Sequence, residues 1–112
     1  MGYDKLNLDN KVAVITGSSR GIGLGIAKGF LQAGARVVIS SRKQENLDKA
    51  LQECQAISSH VMAIPCHVGK QEDVKNLIDK TVEAWGTIDI WVNNTAVSPA
   101  MGPSLSAADT VW

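Results

Sequence analysis

The sequence predicts an α/β fold: a doubly wound parallel sheet built in the order β-α-β-α-β-α-β. Three observations predict it. Short β-branched runs alternate with longer segments of helical periodicity, as strands joined by crossover helices do. The segments between the runs are too long for hairpins and suit right-handed crossovers between parallel strands. The runs are apolar throughout, as strands covered on both faces are.

The first strand is expected over Lys11–Thr16 (KVAVIT), ending at Gly17. Further strands are expected over Arg36–Ser41 (RVVISS), His60–Cys66 (HVMAIPC) and Ile88–Asn93 (IDIWVN). The first helix follows a glycine-rich turn, and within it Gly21, Gly25 and Gly29 recur every fourth residue. Each glycine costs a helix about 1 kcal/mol relative to alanine, so this repeat predicts a bare face lying close against the sheet. Leu47, Leu51 and Cys54 mark the second helix. Val74, Leu77, Ile78, Thr81, Val82 and Trp85 mark the third, at the i, i+3, i+4, i+7 spacing of an amphipathic helix. Gly34 and Gly86 fall just past two helices, where a left-handed C-terminal cap favours glycine.

The stretch Ser98–Ser106 is turn-rich, and Ala107–Trp112 begins a fourth helix with Ser106 as its N-cap. Ser98, Ser104 and Ser106 are read as turn and cap residues. No linker, repeat or low-complexity tract divides the chain, so residues 1–112 are expected to form one domain. Because it stops inside a helix, the chain is read as the front half of a longer, truncated fold. A sheet that ended at Ile88–Asn93 would expose an apolar edge carrying Trp91 with Asp89 as its only charge, an aggregation hazard.

Eleven basic residues balance eleven acidic ones, so no broad field attracts nucleic acid or an anionic membrane. Anion recognition must come from a local site. No apolar stretch is long enough to span a membrane. The polar start lacks a secretory apolar region, and Leu6 breaks the myristoylation pattern. Cys54 and Cys66 stand alone, which predicts reduced, buried thiols and no metal site. A cytoplasmic-type protein is expected.

The chemistry concentrates in Thr16-Gly17-Ser18-Ser19-Arg20-Gly21-Ile22-Gly23, between the first strand and the first helix. Glycines there let the backbone turn sharply and bring its N–H groups close to a diphosphate, and the helix N-terminus adds partial positive charge. The G-x-G-x-x-G fingerprint is absent, since Ile26 stands where a third glycine would fall. A P-loop is absent as well. Asn93 and Asn94 end an apolar strand, where ligand sites of open parallel sheets gather.

TGSSRGIG, together with Asn93-Asn94-Thr95-Ala96, resembles the paired motifs of the short-chain dehydrogenase/reductase family, over the whole chain from about Leu8. Ser40-Ser41-Arg42-Lys43-Gln44 and Cys66-His67-Val68-Gly69-Lys70 are similar to a subgroup of NADP-dependent carbonyl reductases and retinol dehydrogenases. The resemblance implies a Rossmann-type fold and a small carbonyl or alcohol substrate. It also implies a homo-oligomer once the protein is complete. The cofactor is then expected against Gly17, Ser19, Arg20, Gly21, Ile22 and Gly23. Where NAD-selective members carry a carboxylate after the second strand, Ser41 and Arg42 stand here. With Arg20 and Lys43, they favour the 2′-phosphate of NADP. His67 replaces the family's adenine-binding aspartate, with Val68 packing on the adenine. Asn94, Thr95 and Ala96 follow on the cofactor, although Thr95 and Ala96 depart from N-A-G. The family's catalytic Tyr-x-x-x-Lys has no match, because the single tyrosine is Tyr3 and position 7 is Asn7. No catalytic residue is therefore assigned. The competing reading is a non-catalytic nucleotide-binding or interaction module.

Overall fold

The computed structural model describes residues 7–94. The elements follow in the order β1 (Val12–Thr16), α1 (Gly21–Gln32), β2 (Arg36–Ile39), α2 (Gln44–Gln55), β3 (Val61–Ala63), α3 (Gln71–Trp85) and β4 (Ile90–Asn93). The strands form one sheet in the order β3-β2-β1-β4, and each neighbouring pair is parallel. The chain winds outward from β1 to β3, then returns to set β4 on the other side of β1. That reversal opens a crevice at the carboxyl ends of β1 and β4, where ligands of such sheets bind. Thr16 stands opposite Asn93 at this end.

Both faces of the sheet are covered. Ile15, Val37 and Ile39 pack against Leu24, Ala27 and Leu31 of α1 and Leu47, Ala50 and Cys54 of α2. Val14 and Val38 point the other way, into a second cluster with Leu77 of α3. All five β1 residues are buried, which is why its sequence shows no alternation.

The strands are shorter than the sequence suggests, for local reasons. Ser40 N–H leaves the ladder to donate to Ser18 Oγ at 2.9 Å, so β2 stops at Ile39. Pro65, which has no N–H to give, follows β3 closely. Before β4, the Asp89 carboxylate accepts the Val12 N–H at 2.9 Å, and a side chain takes the place of a ladder carbonyl.

The glycine repeat of α1 behaves opposite to expectation. Gly21, Gly25 and Gly29 are exposed, and a Cβ on any of them would meet nothing within 4 Å. The face against the sheet is Gly23, Leu24, Ala27 and Leu31. Only Gly23 is there for close approach. The caps agree with expectation: Gly34 and Gly86 have φ of 97° and 85°, and Gly86 N–H donates to the Val82 carbonyl at 2.7 Å.

On α3, Leu77 and Thr81 are buried, whereas Ile78 and Val82 remain 38% and 41% exposed. Among the described residues β4 pairs only with β1, and Ile90, Trp91 and Val92 are half-buried. No helix among the described residues is long and apolar enough to cross a membrane. The expected fourth-helix start and the serines at 98, 104 and 106 lie outside the described residues.

Cys54 and Cys66 are free and buried. Burial pushes both thiols up, and the Asp73 carboxylate adds to the effect at Cys66. A raised folded-state value means the native chain holds these protons after the unfolded chain has lost them. The stabilisation is thus complete below the ordinary thiol value of about 9.0 and declines as pH rises through it. Urea midpoints should accordingly fall between pH 8 and pH 10, and Cys54→Ala should flatten that fall. An equally steep fall in the variant would show that other groups cause it.

Candidate functional site

The site is built on a knot that ties the first turn to both neighbouring strands. Ser18 is fully buried. Its Oγ donates to the Ile15 carbonyl at 2.7 Å and accepts from Ser40 N–H at 2.9 Å. Its own N–H donates to the Ser40 carbonyl at 2.9 Å. On the β4 side, Thr16 Oγ1 donates to Asn93 Oδ1 at 3.0 Å and accepts the Asn94 N–H at 3.1 Å. Asn94 Nδ2 then donates to the Gly17 carbonyl at 3.2 Å. Gly17 and Gly21 both have φ of 61°, a left-handed conformation that glycine alone adopts without penalty. Between them Ser19 and Arg20 are held at the mouth of the crevice.

Gly23 closes the knot from below. A Cβ there would overlap the Gly17 carbonyl oxygen and lie 2.5 Å from Asn94 Nδ2. The helix can reach this depth only because position 23 has no side chain.

Above the knot opens a cleft of about 490 Å³. One wall is Gly17, Ser19, Arg20 and Gly21; the other is Ser41, Arg42, Lys43 and Asn46. Cys66, Val68 and Asn94 complete it. Among the described residues the lining carries three cationic residues, Arg20, Arg42 and Lys43, and no carboxylate. Arg20 and Lys43 are also the N-caps of α1 and α2, and neither gives its helix a side-chain cap. The first-turn N–H groups and the positive dipole ends of two helices are thus left at the cleft. The first turn of α1 contains no acidic residue, in contrast to Glu72 and Asp73 in α3. The arrangement suits a polyanion.

Of the site residues expected from sequence, Gly17, Ser19, Arg20, Gly21, Ser41, Arg42, Lys43, Val68 and Asn94 meet around this one cleft. Gly23 lies beneath it. Ile22 stands beside it, 76% exposed. His67 does not line it: the ring Nδ1 accepts the Gly69 N–H at 3.0 Å, which closes a turn. Its backbone N–H donates to Asp73 Oδ2 at 3.0 Å. Thr95 and Ala96 lie outside the described residues. Sequence reasoning passed over Asn46, Cys66 and Ser18. Asn46 was legible in principle, as a polar residue in the first turn of a helix that follows a strand end. Nothing local announces Ser18, whose partner Ser40 is 22 residues away.

This architecture recurs in known proteins. Residues 11–112 match the family model for short chain dehydrogenases. The chain is 47% identical over 105 residues to dehydrogenase/reductase SDR family member 4 of Sus scrofa, and the match covers 94% of this chain and 38% of that protein. It is 45% identical to the human SDR family member 2, named as mitochondrial, again over 38% of its length. The crystal structure of L-sorbose reductase from Gluconobacter frateurii, complexed with NADPH and L-sorbose, superposes with a TM-score of 0.78 at 31% identity, covering 90% of this chain and 40% of that one. The chain therefore spans well under half the length of these relatives. With the glycine turn, the parallel β3-β2-β1-β4 sheet and the family match in agreement, the chain belongs to the short-chain dehydrogenase family.

Proposed function

We propose that this chain is the cofactor-binding part of an NADP-dependent oxidoreductase that interconverts a small carbonyl compound and its alcohol. The observation that carries the reading is the charge of the cleft: Arg20, Arg42 and Lys43 line it, and among the described residues no carboxylate does. A carboxylate on this rim would accept the ribose hydroxyls of NAD and repel a 2′-phosphate. Arginine instead offers a planar fork to the phosphate oxygens. The NADPH bound by L-sorbose reductase, a structural neighbour, supports the same assignment.

In this reading residues 1–112 are one dinucleotide-binding domain. Gly17, Ser19, Arg20, Gly21 and Ile22 hold the diphosphate side of the cofactor, and Gly23 lets α1 come close enough to do so. Ser41, Arg42 and Lys43 hold the 2′-phosphate, and Val68 packs on the adenine. Asn94, with Thr95 and Ala96 after it, lines the adenosine ribose. When bound, the nicotinamide supplies or accepts the hydride. We assign no proton transfer to residues of this chain. His67 serves the turn before α3, and its contact with adenine is limited to its backbone. The compartment we propose is the reducing cytoplasm, on the strength of two free, buried thiols. The complete protein is proposed to be a homo-oligomer.

The test is a competitive titration with NADPH and NADH. NADPH should bind at least tenfold tighter, and Arg42→Ala should erase about 1.5–3 kcal/mol of that preference, the range for a charge-assisted hydrogen bond. Unchanged selectivity in the variant would overturn the reading.

A further inference from the structure

We propose that Asn46 is a cofactor-selectivity residue, its carboxamide donating to the phosphate on the adenosine 2′ position. The proposal rests on the NADP reading above and deepens it. Asn46 is the only residue of α2 that lines the cleft, and it shares a wall with Ser41, Arg42 and Lys43. The neighbouring polar groups of α2 turn elsewhere. Gln44 Nε2 donates to Asp48 Oδ1 at 2.7 Å, which runs both side chains along the helix. Glu45, also in the first turn, is exposed and does not line the cleft.

Asn46 is thus the point where α2 meets the ligand, in the turn whose backbone N–H groups Lys43 leaves uncapped. A carboxamide there offers two N–H donors without bringing a charge. The alternative of similar size, a carboxylate, would face Arg42 and Lys43. It would neutralise part of their field, repel a phosphate dianion and accept a ribose hydroxyl instead. Neutrality at position 46 therefore belongs to the same selection that Arg42 makes by charge. Asn46 is exposed and carries no core packing. An acidic residue in the first turn also complements the helix dipole. Asn46→Asp should consequently fold as the wild type does.

The experiment is calorimetric titration of the full chain with adenosine 2′,5′-bisphosphate and with 5′-AMP, which removes the nicotinamide half from the measurement. Wild type should prefer the bisphosphate at least tenfold. Asn46→Asp should lower that preference by about tenfold or more and Asn46→Ala by less, with AMP affinity held in both, as expected for a lost or reversed charge-assisted bond. Asn46→Gln, which keeps the donors, should recover part of the preference. If both Asp and Ala variants keep the wild-type preference while Arg42→Ala loses it, the role of Asn46 is overturned and the NADP reading stands. A wild type without preference for the bisphosphate overturns both.

Discussion

Gly23→Ala is expected to weaken nucleotide binding by about tenfold or more, equivalent to about 1.4 kcal/mol, and to lower stability at the same time. Two opposing effects decide the sign. Alanine in place of a helical glycine gains about 0.5–1 kcal/mol. Forcing extra volume into a packed site costs about 1–3 kcal/mol. The second wins here because the added methyl group meets the Gly17 carbonyl, which is backbone, as well as the Asn94 carboxamide. Neither moves alone, since Asn94 Nδ2 donates to that same carbonyl and Asn94 N–H is held by Thr16 Oγ1. To admit the methyl group, the turn must lift away from α1, and Ser19, Arg20 and Gly21 move with it. Gly25→Ala and Gly29→Ala are the controls. Both positions are exposed and empty around the missing Cβ, so each should raise stability by about 0.5–1 kcal/mol and leave binding unchanged. Urea unfolding and NADPH titration of the three variants check this. A Gly23→Ala chain that binds as well as wild type would show that the close approach of α1 is not needed.

That contrast marks what could be read in the sequence and what could not. The strand runs and the helical periodicities gave the element order, because burial on both faces of a parallel sheet leaves long apolar segments. The turn after Thr16 was legible because its glycines and its place between strand and helix point to one job. Which glycine lies against the sheet was not legible. A repeat of four looks like a face, but the face that packs is set by where the turn delivers the first residue of α1, and that depends on Ser18 and Asn94. The strand ends were overextended for a similar reason: Ser40 and Asp89 exchange ladder bonds for side-chain bonds with Ser18 and Val12. His67 invited a ligand role from its place after β3, yet its ring nitrogen is taken by a backbone N–H two residues on. Arg42 and Lys43 were found because charge is visible in sequence. Asn46 was missed because it carries no charge, although its place in the first turn after a strand end was a legible signal.

Ser18→Ala is expected to cost about 1–3 kcal/mol of stability, the penalty for leaving a buried backbone N–H without a partner. The orphaned donor is Ser40 N–H, which reaches Ser18 Oγ at 2.9 Å inside a part of the chain that water does not enter. The Ile15 carbonyl loses its 2.7 Å hydroxyl donor as well. The effect should exceed that of Ser19→Ala, although the two serines are adjacent, because Ser19 lines the cleft and is only half-buried. Binding should suffer with stability. Ser18 joins the two walls of the cleft directly, through its N–H to the Ser40 carbonyl and its Oγ from the Ser40 N–H. Ser40 in turn leads straight into Ser41 and Arg42. Removing the hydroxyl keeps one of these two bonds and frees the walls to shift against each other, so the phosphate-binding groups on opposite sides no longer hold a fixed spacing. Urea midpoints of the Ser18 and Ser19 variants, followed by NADPH titration under conditions where both remain folded, separate the two effects. If Ser18→Ala unfolds at the wild-type midpoint, the Ser40 amide has found another partner. The turn and β2 would then be held together by the backbone bond alone.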